Sequence, residues 1–176
     1  IAIDGLILSG SSKPARLMII IQKILIKIQI LLFSKKSVSI FLDNITLGSY
    51  NNFFKPNRTK KDWISSDNDN VDNYVDDDLC GFPVTNGLWH DLANGILKVF
   101  NINNYSSSEN SIPIFIISGS KDPVGENGKG VMRLYKFLSN IFTSVSIKII
   151  DEARHEVFSE TTKENSYNML IKFIEN

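Results

Sequence analysis

The last third of the chain alternates between strand-like and helix-like segments, and this order constrains the fold more than any other feature. Residues 112–118 form a continuous apolar run and residues 144–150 alternate, so both predict strands. Each is followed by apolar residues at helical spacing, in residues 131–138 and 167–174. Such alternation with short connections implies parallel strands and right-handed crossovers. We therefore predict an α/β fold with a doubly wound sheet, whose last helix opens at a capping box of Thr161 and Glu164.

The chain upstream of this region divides into a strand and a long insertion. Residues 1–9 read as a buried strand without a polar lead-in, which predicts that the chain is part of a longer fold. Residues 35–105 hold short apolar pieces separated by Asn, Asp, Gly and Pro, a pattern that favours helices and loops. The sequence thus predicts three parts: a core strand in residues 1–12, a mostly helical cap in residues 13–110, and a C-terminal α/β core in residues 111–176.

The longest apolar segment, residues 17–33, predicts a helix with one narrow polar stripe. Gln22, Lys23, Lys27 and Gln29 form that stripe, because Lys23 and Lys27 are four residues apart and Gln22 and Gln29 are seven apart. Two central lysines and a length below the roughly 20 apolar residues of a membrane span argue against a transmembrane helix. The periodicity favours a core helix over a cap helix that faces an apolar substrate.

Charge and cysteine content exclude several classes of function. The 19 basic residues balance the 19 acidic residues, so no overall field attracts nucleic acid, and we predict no nucleic-acid partner. Cys80 is the single cysteine, which excludes an internal disulfide and a cysteine-rich zinc site. It fits a reducing compartment, so we predict a cytoplasmic location. Neither a metal site nor a cofactor motif with the required spacing is present in the sequence.

Two side chains at the ends of the predicted C-terminal strands are candidates for chemistry. Asp122 follows the strand at 112–118, and His155 follows the strand at 144–150. The carboxyl ends of parallel strands share one edge of the sheet, and adjacent strands are about 4.8 Å apart, so the two side chains should meet. An aspartate that accepts the Nδ1 hydrogen of a histidine leaves the other nitrogen free as a general base. The alternatives without a catalytic role are a turn-forming aspartate and a structural histidine.

A nucleophilic serine is missing from this arrangement. The Gly-x-Ser-x-Gly turn of α/β-hydrolases fails at Gly10 and Ser12, because Pro14 occupies the last position. Ser118 and Ser120 share the loop of Asp122 and cannot approach the histidine from the opposite side. In hydrolases the serine precedes the aspartate along the chain. We therefore expect the serine to lie upstream of Ile1.

Several stretches resemble bacterial α/β-hydrolases of the monoacylglycerol lipase-like and lysophospholipase-like group, the serine aminopeptidase S33 type. Residues 54–59 (FKPNRT), 62–67 (DWISSD) and 78–82 (DLCGF) resemble the cap of that family. Residues 117–125 (ISGSKDPVG) and 153–156 (ARHE) resemble its acid and histidine loops. The chain departs from the family at Ser66, where related caps often carry arginine, and it lacks the half of the fold that holds the serine and the oxyanion hole.

The resemblance implies a serine hydrolase with Asp122 as the triad acid and His155 as the triad base. Arg154 and Glu156 resemble supports of the histidine loop. The implied reaction is hydrolysis of a lipid acyl ester, such as a monoacylglycerol or lysophospholipid, without metal or cofactor, and with a peripheral membrane contact through the cap. This segment alone is expected to be inactive. The alternatives are a noncatalytic hydrolase-like remnant that binds a lipid or a partner, and an amidase or aminopeptidase of the same fold.

Overall fold

The computed structural model describes residues 3–105 and 110–175 of the 176-residue chain. Its elements follow one another in this order: β1 (Leu6–Ser9), α1 (Arg16–Phe33), α2 (Ile40–Ile45), α3 (Leu47–Tyr50), a 3-10 helix (Asn51–Phe54), α4 (Asn68–Asp76), α5 (Asn86–Val99), a second 3-10 helix (Ile102–Tyr105), β2 (Ile114–Gly119), α6 (Lys129–Ser139), β3 (Val145–Ile150) and α7 (Lys163–Ile174).

The three strands form one parallel sheet in the order β1-β2-β3. The central strand β2 is buried along its whole length, as expected for a strand with a neighbour on each side and a layer on each face. Ile114 and Ile116 pack with residues of α6 on one face, while Phe115 and Ile117 pack towards Phe173 of α7 on the other. Helices on both faces of a parallel sheet confirm the predicted doubly wound α/β fold.

All three strands are shorter than the sequence predicts, β3 by one residue because it begins at Val145 and not at residue 144. β2 begins at Ile114 and not at residue 112, directly after Pro113, which has no N–H for a ladder hydrogen bond. β1 is limited to Leu6–Ser9, and residues 1 and 2 lie outside the described residues. The prediction of a buried first strand is wrong, because β1 pairs only with β2 among the described residues and Leu6 and Ser9 are exposed.

Between β1 and β2 the described residues form helices, turns and one isolated bridge from Val38 to Thr85. This agrees with the predicted insertion of helices and loops between two strands. The division into residues 1–12, 13–110 and 111–176 stays a prediction. For brevity we call the part of the insertion from α1 to the second 3-10 helix the cap.

Helix α1 is not a core helix, so that interpretation of the sequence is wrong. Its buried residues are Ile19 and Ile26, which pack with α5 and Leu42 of α2. Its opposite side is apolar and exposed: Leu17 is 67% and Leu31 is 85% accessible. The other cap helices cover only one face of α1. Because the sequence of α1 is apolar on nearly all sides, apolar side chains on its other face are left in solvent. Among the described residues, no helix is long and apolar enough to cross a membrane.

The predicted capping box of the last helix is also wrong. Helix α7 begins at Lys163 with Thr162 as its N-cap residue, and no side chain caps its first turn. The hydroxyl of Thr161 instead lies 3.3 Å from the hydroxyl of Ser66. The backbone N–H of Thr161 donates to the carboxylate of Glu160. Thr161 therefore contacts Ser66 of the cap insertion and does not cap the N-terminus of α7.

The turn that opens the segment 58–66 of the cap is stabilised by the buried carboxylate of Asp62. It accepts hydrogen bonds from the backbone N–H groups of Arg58 at 2.6 Å and Thr59 at 2.9 Å, and from the Thr59 hydroxyl. Burial alone raises the pKa of Asp62, but these hydrogen bonds and the positive charge of Arg58 outweigh it, so the net pKa is lowered.

This shift predicts how the stability of the cap depends on pH. A lowered folded-state pKa means that Asp62 adds stability above its unfolded pKa of about 3.9 and loses it as pH falls through the folded value. Urea denaturation at a series of pH values should therefore show that the advantage of the wild type over Asp62→Asn is constant near neutrality and shrinks below about pH 4. A difference that does not change down to acidic pH would contradict this account.

Candidate active site

The two candidate loops leave the same edge of the sheet side by side. In the register of β2 and β3, Gly119 is the partner of Ile150, so both strands end at the same level. The loop after β2 then donates from the N–H of Ser120 to the carbonyl of Ile150 and from the N–H of Lys121 to the carbonyl of Ala153, both at 2.9 Å. Parallel pairing thus continues into the loops and brings them into contact.

Gly119 makes this close approach possible. A Cβ atom at this position would lie 2.1 Å from the carbonyl oxygens of both Ala153 and Arg154, well inside van der Waals contact. The loop that carries His155 therefore crosses directly over the end of β2, and only a residue without a side chain fits beneath it.

The structure brings Asp122 and His155 together. The imidazole Nδ1 lies 3.1 Å from Oδ2 and 3.2 Å from Oδ1 of Asp122, whose side chain is fully buried. The carboxylate also accepts from the N–H of Val124 at 2.9 Å and from the hydroxyl of Ser118 at 3.3 Å. Because a carboxylate can only accept, the Nδ1 carries the hydrogen, and Nε2 is left with a lone pair that can take a proton.

Three serine hydroxyls near this pair are engaged in hydrogen bonds to groups other than the imidazole. Ser118 donates to Asp122, which makes it a support of the acid. Ser120 donates to the carboxylate of Asp151, and Ser12 donates to the carbonyl oxygen of Val124 at 2.8 Å. None of the three is placed to give its proton to Nε2 of His155, in line with the sequence-based exclusion of Ser118 and Ser120.

The imidazole is enclosed from two directions. Gly10, with a φ of 56°, packs against it so closely that a Cβ there would lie 2.9 Å from Cε1. The indole of Trp63 lies 5.3 Å from the imidazole, centroid to centroid, at an interplanar angle of 43°. A cavity of about 210 Å³ reaches His155 between Ser9 at the end of β1 and Phe158. The ring therefore has fixed neighbours and one open approach.

Sequence reasoning missed the roles of Gly10, Trp63 and Tyr50 at this site. Tyr50 contacts Trp63 edge-on, with ring centroids 5.3 Å apart. Its pKa is raised by burial, and then by the negative charges of Asp122 and Glu126, so the phenol is neutral at physiological pH. Trp63 lies in the stretch DWISSD that carried the resemblance, but nothing in the sequence indicated that it reaches the histidine. Among the described residues, no cluster of His, Cys, Asp and Glu could hold a metal ion.

Comparisons with known proteins identify the family of this chain. The model of the serine aminopeptidase S33 family matches residues 2–162. The chain belongs to this family of α/β-hydrolases. No curated protein sequence matches the chain significantly.

Several solved structures resemble this chain over almost the whole length of the chain. A carboxyl esterase from Bacillus coagulans in complex with glycerol is 25% identical, with a TM-score of 0.81 over 98% of this chain and 56% of its own. A lipase in an open form is 21% identical, with a TM-score of 0.76 over 98% of this chain and 57% of the lipase. A monoacylglycerol lipase from Paleococcus ferrophilus is 18% identical, with a TM-score of 0.63 over 97% and 58%. The chain thus spans a little over half the length of these relatives.

The contact over Gly119 yields a prediction about stability. Gly119→Ala should lower the free energy of unfolding by about 3 kcal/mol or more, because its methyl group would have to displace the backbone of the histidine loop. The measurement is urea denaturation of the protein that carries this chain. Gly95→Ala in α5 is the matched control, since a Cβ there meets no atom within 4 Å, and alanine should leave stability equal or higher. Equal stability of both variants would show that the loop does not cross β2 as described.

Proposed function

We propose that this chain supplies the acid and the base of a serine hydrolase that cleaves carboxylic esters, with Asp122 as the acid and His155 as the base. One observation carries the proposal: a fully buried carboxylate accepts the Nδ1 hydrogen of an imidazole at the carboxyl ends of two adjacent parallel strands. That arrangement leaves Nε2 as a base of fixed tautomer and orientation.

The nucleophilic serine in this proposal comes from a part of the hydrolase outside residues 1–176. Its hydroxyl attacks the acyl carbonyl while Nε2 of His155 takes the proton and then gives it to the leaving alcohol. Asp122 stabilises the imidazolium that forms and keeps its Nδ1 hydrogen in place. Water then attacks the acyl carbon while His155 takes one of its protons. The acyl–serine bond breaks, the carboxylic acid leaves, and His155 returns the proton to the serine oxygen.

We place the substrate among acyl esters of lipids, with a monoacylglycerol or lysophospholipid as the specific type. The apolar surface of the cap and the esterase and lipase names of the similar structures support this choice. The family description, serine aminopeptidase, keeps amide cleavage as the competing reaction, since the acid and base do not determine the leaving group. A noncatalytic lipid-binding or partner-binding domain is the remaining alternative.

Hydrolysis of p-nitrophenyl esters of different chain lengths by the full reading frame tests the proposal. His155→Ala and Asp122→Asn should each lower kcat by roughly 10⁴-fold, because the base is lost or held in the wrong tautomer. His90→Ala is the matched control, because it removes the other histidine, which bonds to Asp91 and Asn94 on the cap. The 176-residue chain alone should give no turnover.

Three outcomes would contradict the proposal. Full activity of His155→Ala would exclude His155 as the base. Turnover by the 176-residue chain would place the nucleophile within that chain. Faster cleavage of aminoacyl p-nitroanilides than of any acyl ester would replace the esterase by the aminopeptidase reading.

The cap also presents a surface for contact with a lipid membrane. The outward side of α1 is apolar over its length and includes Leu31 and Leu32, which are 85% and 63% exposed, and it is flanked by Lys23 and Lys27. An apolar face next to basic side chains fits the interfacial region of a bilayer with anionic lipids. This contact would bring the enzyme to lipid substrates.

Vesicle binding tests this contact. Replacing Leu31 and Leu32 together by glutamine should weaken binding to mixed zwitterionic and anionic vesicles by about tenfold or more, since each leucine loses its transfer free energy. Ile174→Gln, on a residue of α7 that is 66% exposed, is the control and should bind as the wild type does. Equal binding of both variants would rule out α1 as the contact surface.

A further inference from the structure

The loop that carries His155 has no helix or strand of its own, and the cap contacts it directly. Residues 62–66 of the cap, which we call the cap strap, run along this loop. The N–H of Glu156 donates to the carbonyl of Ile64 at 2.9 Å, and the hydroxyl of Ser65 donates to the carbonyl of Ser159, also at 2.9 Å. The two segments are 94 residues apart in sequence at this contact, so only the folded cap brings them together.

Arg154, the residue before the histidine, anchors the loop to the strap. Its guanidinium donates to the carbonyl of Asp62 and, at 2.9 Å, to the carbonyl of Ser65. The same group lies over the ring of Phe54, 4.3 Å from its centroid. The charge of Arg154 is therefore used to bind backbone carbonyls of the cap, and it leaves the carboxylate of Asp122 to the imidazole.

Glu160 closes the loop against the strap from its other end. Its carboxylate is 1% exposed and accepts from the N–H of Arg154 at 2.7 Å and from the N–H of Ser66 at 3.0 Å. The hydroxyl of Ser66 donates to it as well. A buried carboxylate is costly unless it accepts hydrogen bonds, so displacement of the strap would remove the two Ser66 donors from this buried group.

Trp63 is the strap residue that touches the imidazole itself. Its side chain is buried, its ring lies 5.3 Å from that of His155, and Tyr50 packs on it at the same distance. Asp122 holds the Nδ1 end of the imidazole and Gly10 packs near its Cε1, which leaves the side of the ring that faces the cap to be covered. The indole of Trp63 lies against that side.

From these contacts we infer that Trp63 is a positioning residue for His155: the cap strap holds the indole against the imidazole and thereby fixes the direction in which Nε2 points. The inference rests on the proposed hydrolase function. It makes the cap part of the catalytic geometry, since the strap that holds Trp63 is itself tied to the histidine loop through Arg154 and Glu160. A misplacement of about 1 Å at a reacting group can lower the rate roughly 100-fold.

Three variants of the full hydrolase test the inference. Trp63→Leu should lower kcat by roughly 10-fold to 100-fold with KM within about twofold, because the position of the base matters in the transition state and not for substrate binding. Trp63→Phe should recover most of this loss, because a phenyl ring can still contact the imidazole. Trp89→Leu is the matched control: it also removes a buried cap tryptophan, but one that packs with α1 and α2.

Nuclear magnetic resonance supplies a readout that a loss of stability alone would not change. The ring protons of His155 should carry a ring-current shift from the indole, which is lost in Trp63→Leu and kept in Trp89→Leu. Thermal denaturation of each variant shows whether it is folded under the assay conditions. If Trp63→Leu does not fold, the comparison of Trp63→Phe with Trp89→Leu still decides, since the first should change the His155 signals and the second should not.

The outcomes separate this inference from the proposed function. If the wild type hydrolyses no ester, the proposed hydrolase function is contradicted. A wild type that is active, with folded Trp63→Leu and Trp89→Leu variants of equal kcat, would overturn the positioning role and leave the hydrolase assignment intact. A fall in kcat for Trp63→Leu with the ring-current shift unchanged would overturn it as well.

Discussion

The parallel pairing of β2 with β3 is the constraint on which the site depends. It sets Gly119 opposite Ile150, so that the two loops that follow start at one level and continue to exchange backbone hydrogen bonds. The missing side chain at Gly119 then lets the histidine loop cross β2 at backbone contact distance. Asp122 and His155 meet because of this geometry, without a long or strained side-chain reach.

The buried carboxylate of Asp122 shows how the fold keeps a charge available for chemistry. No Lys or Arg among the described residues forms an ion pair with it, so its burial is offset by hydrogen bonds from Val124, Ser118 and His155. Neutral donors stabilise the carboxylate without cancelling its charge. The role proposed for Asp122 requires such a charge, since an orienting acid stabilises an imidazolium.

Sequence patterns predicted those features that depend on local periodicity and on the order of elements. The parallel α/β order, the helical insertion and the meeting of Asp122 with His155 all follow from strand ends that can be read along the chain. Three features could not be read this way. The buried side of α1 depends on where α5 lies, the start of α7 depends on a contact between Thr161 and Ser66, and Trp63 meets His155 across 92 residues of sequence. Each is decided by a partner that is distant in sequence.

The cap thus has two faces with different physical tasks. Its inward segment, the cap strap, is hydrogen bonded to the histidine loop, whose Arg154 donates to strap carbonyls and whose Glu160 accepts from Ser66. The outward side of α1 leaves leucine and isoleucine side chains in solvent. A helical layer that contacted only solvent would need neither feature. The same insertion contacts the proposed base on one side and offers an apolar surface on the other. The proposed lipid contact and the proposed base thus involve the same insertion, and the cap strap is the part of it that reaches His155.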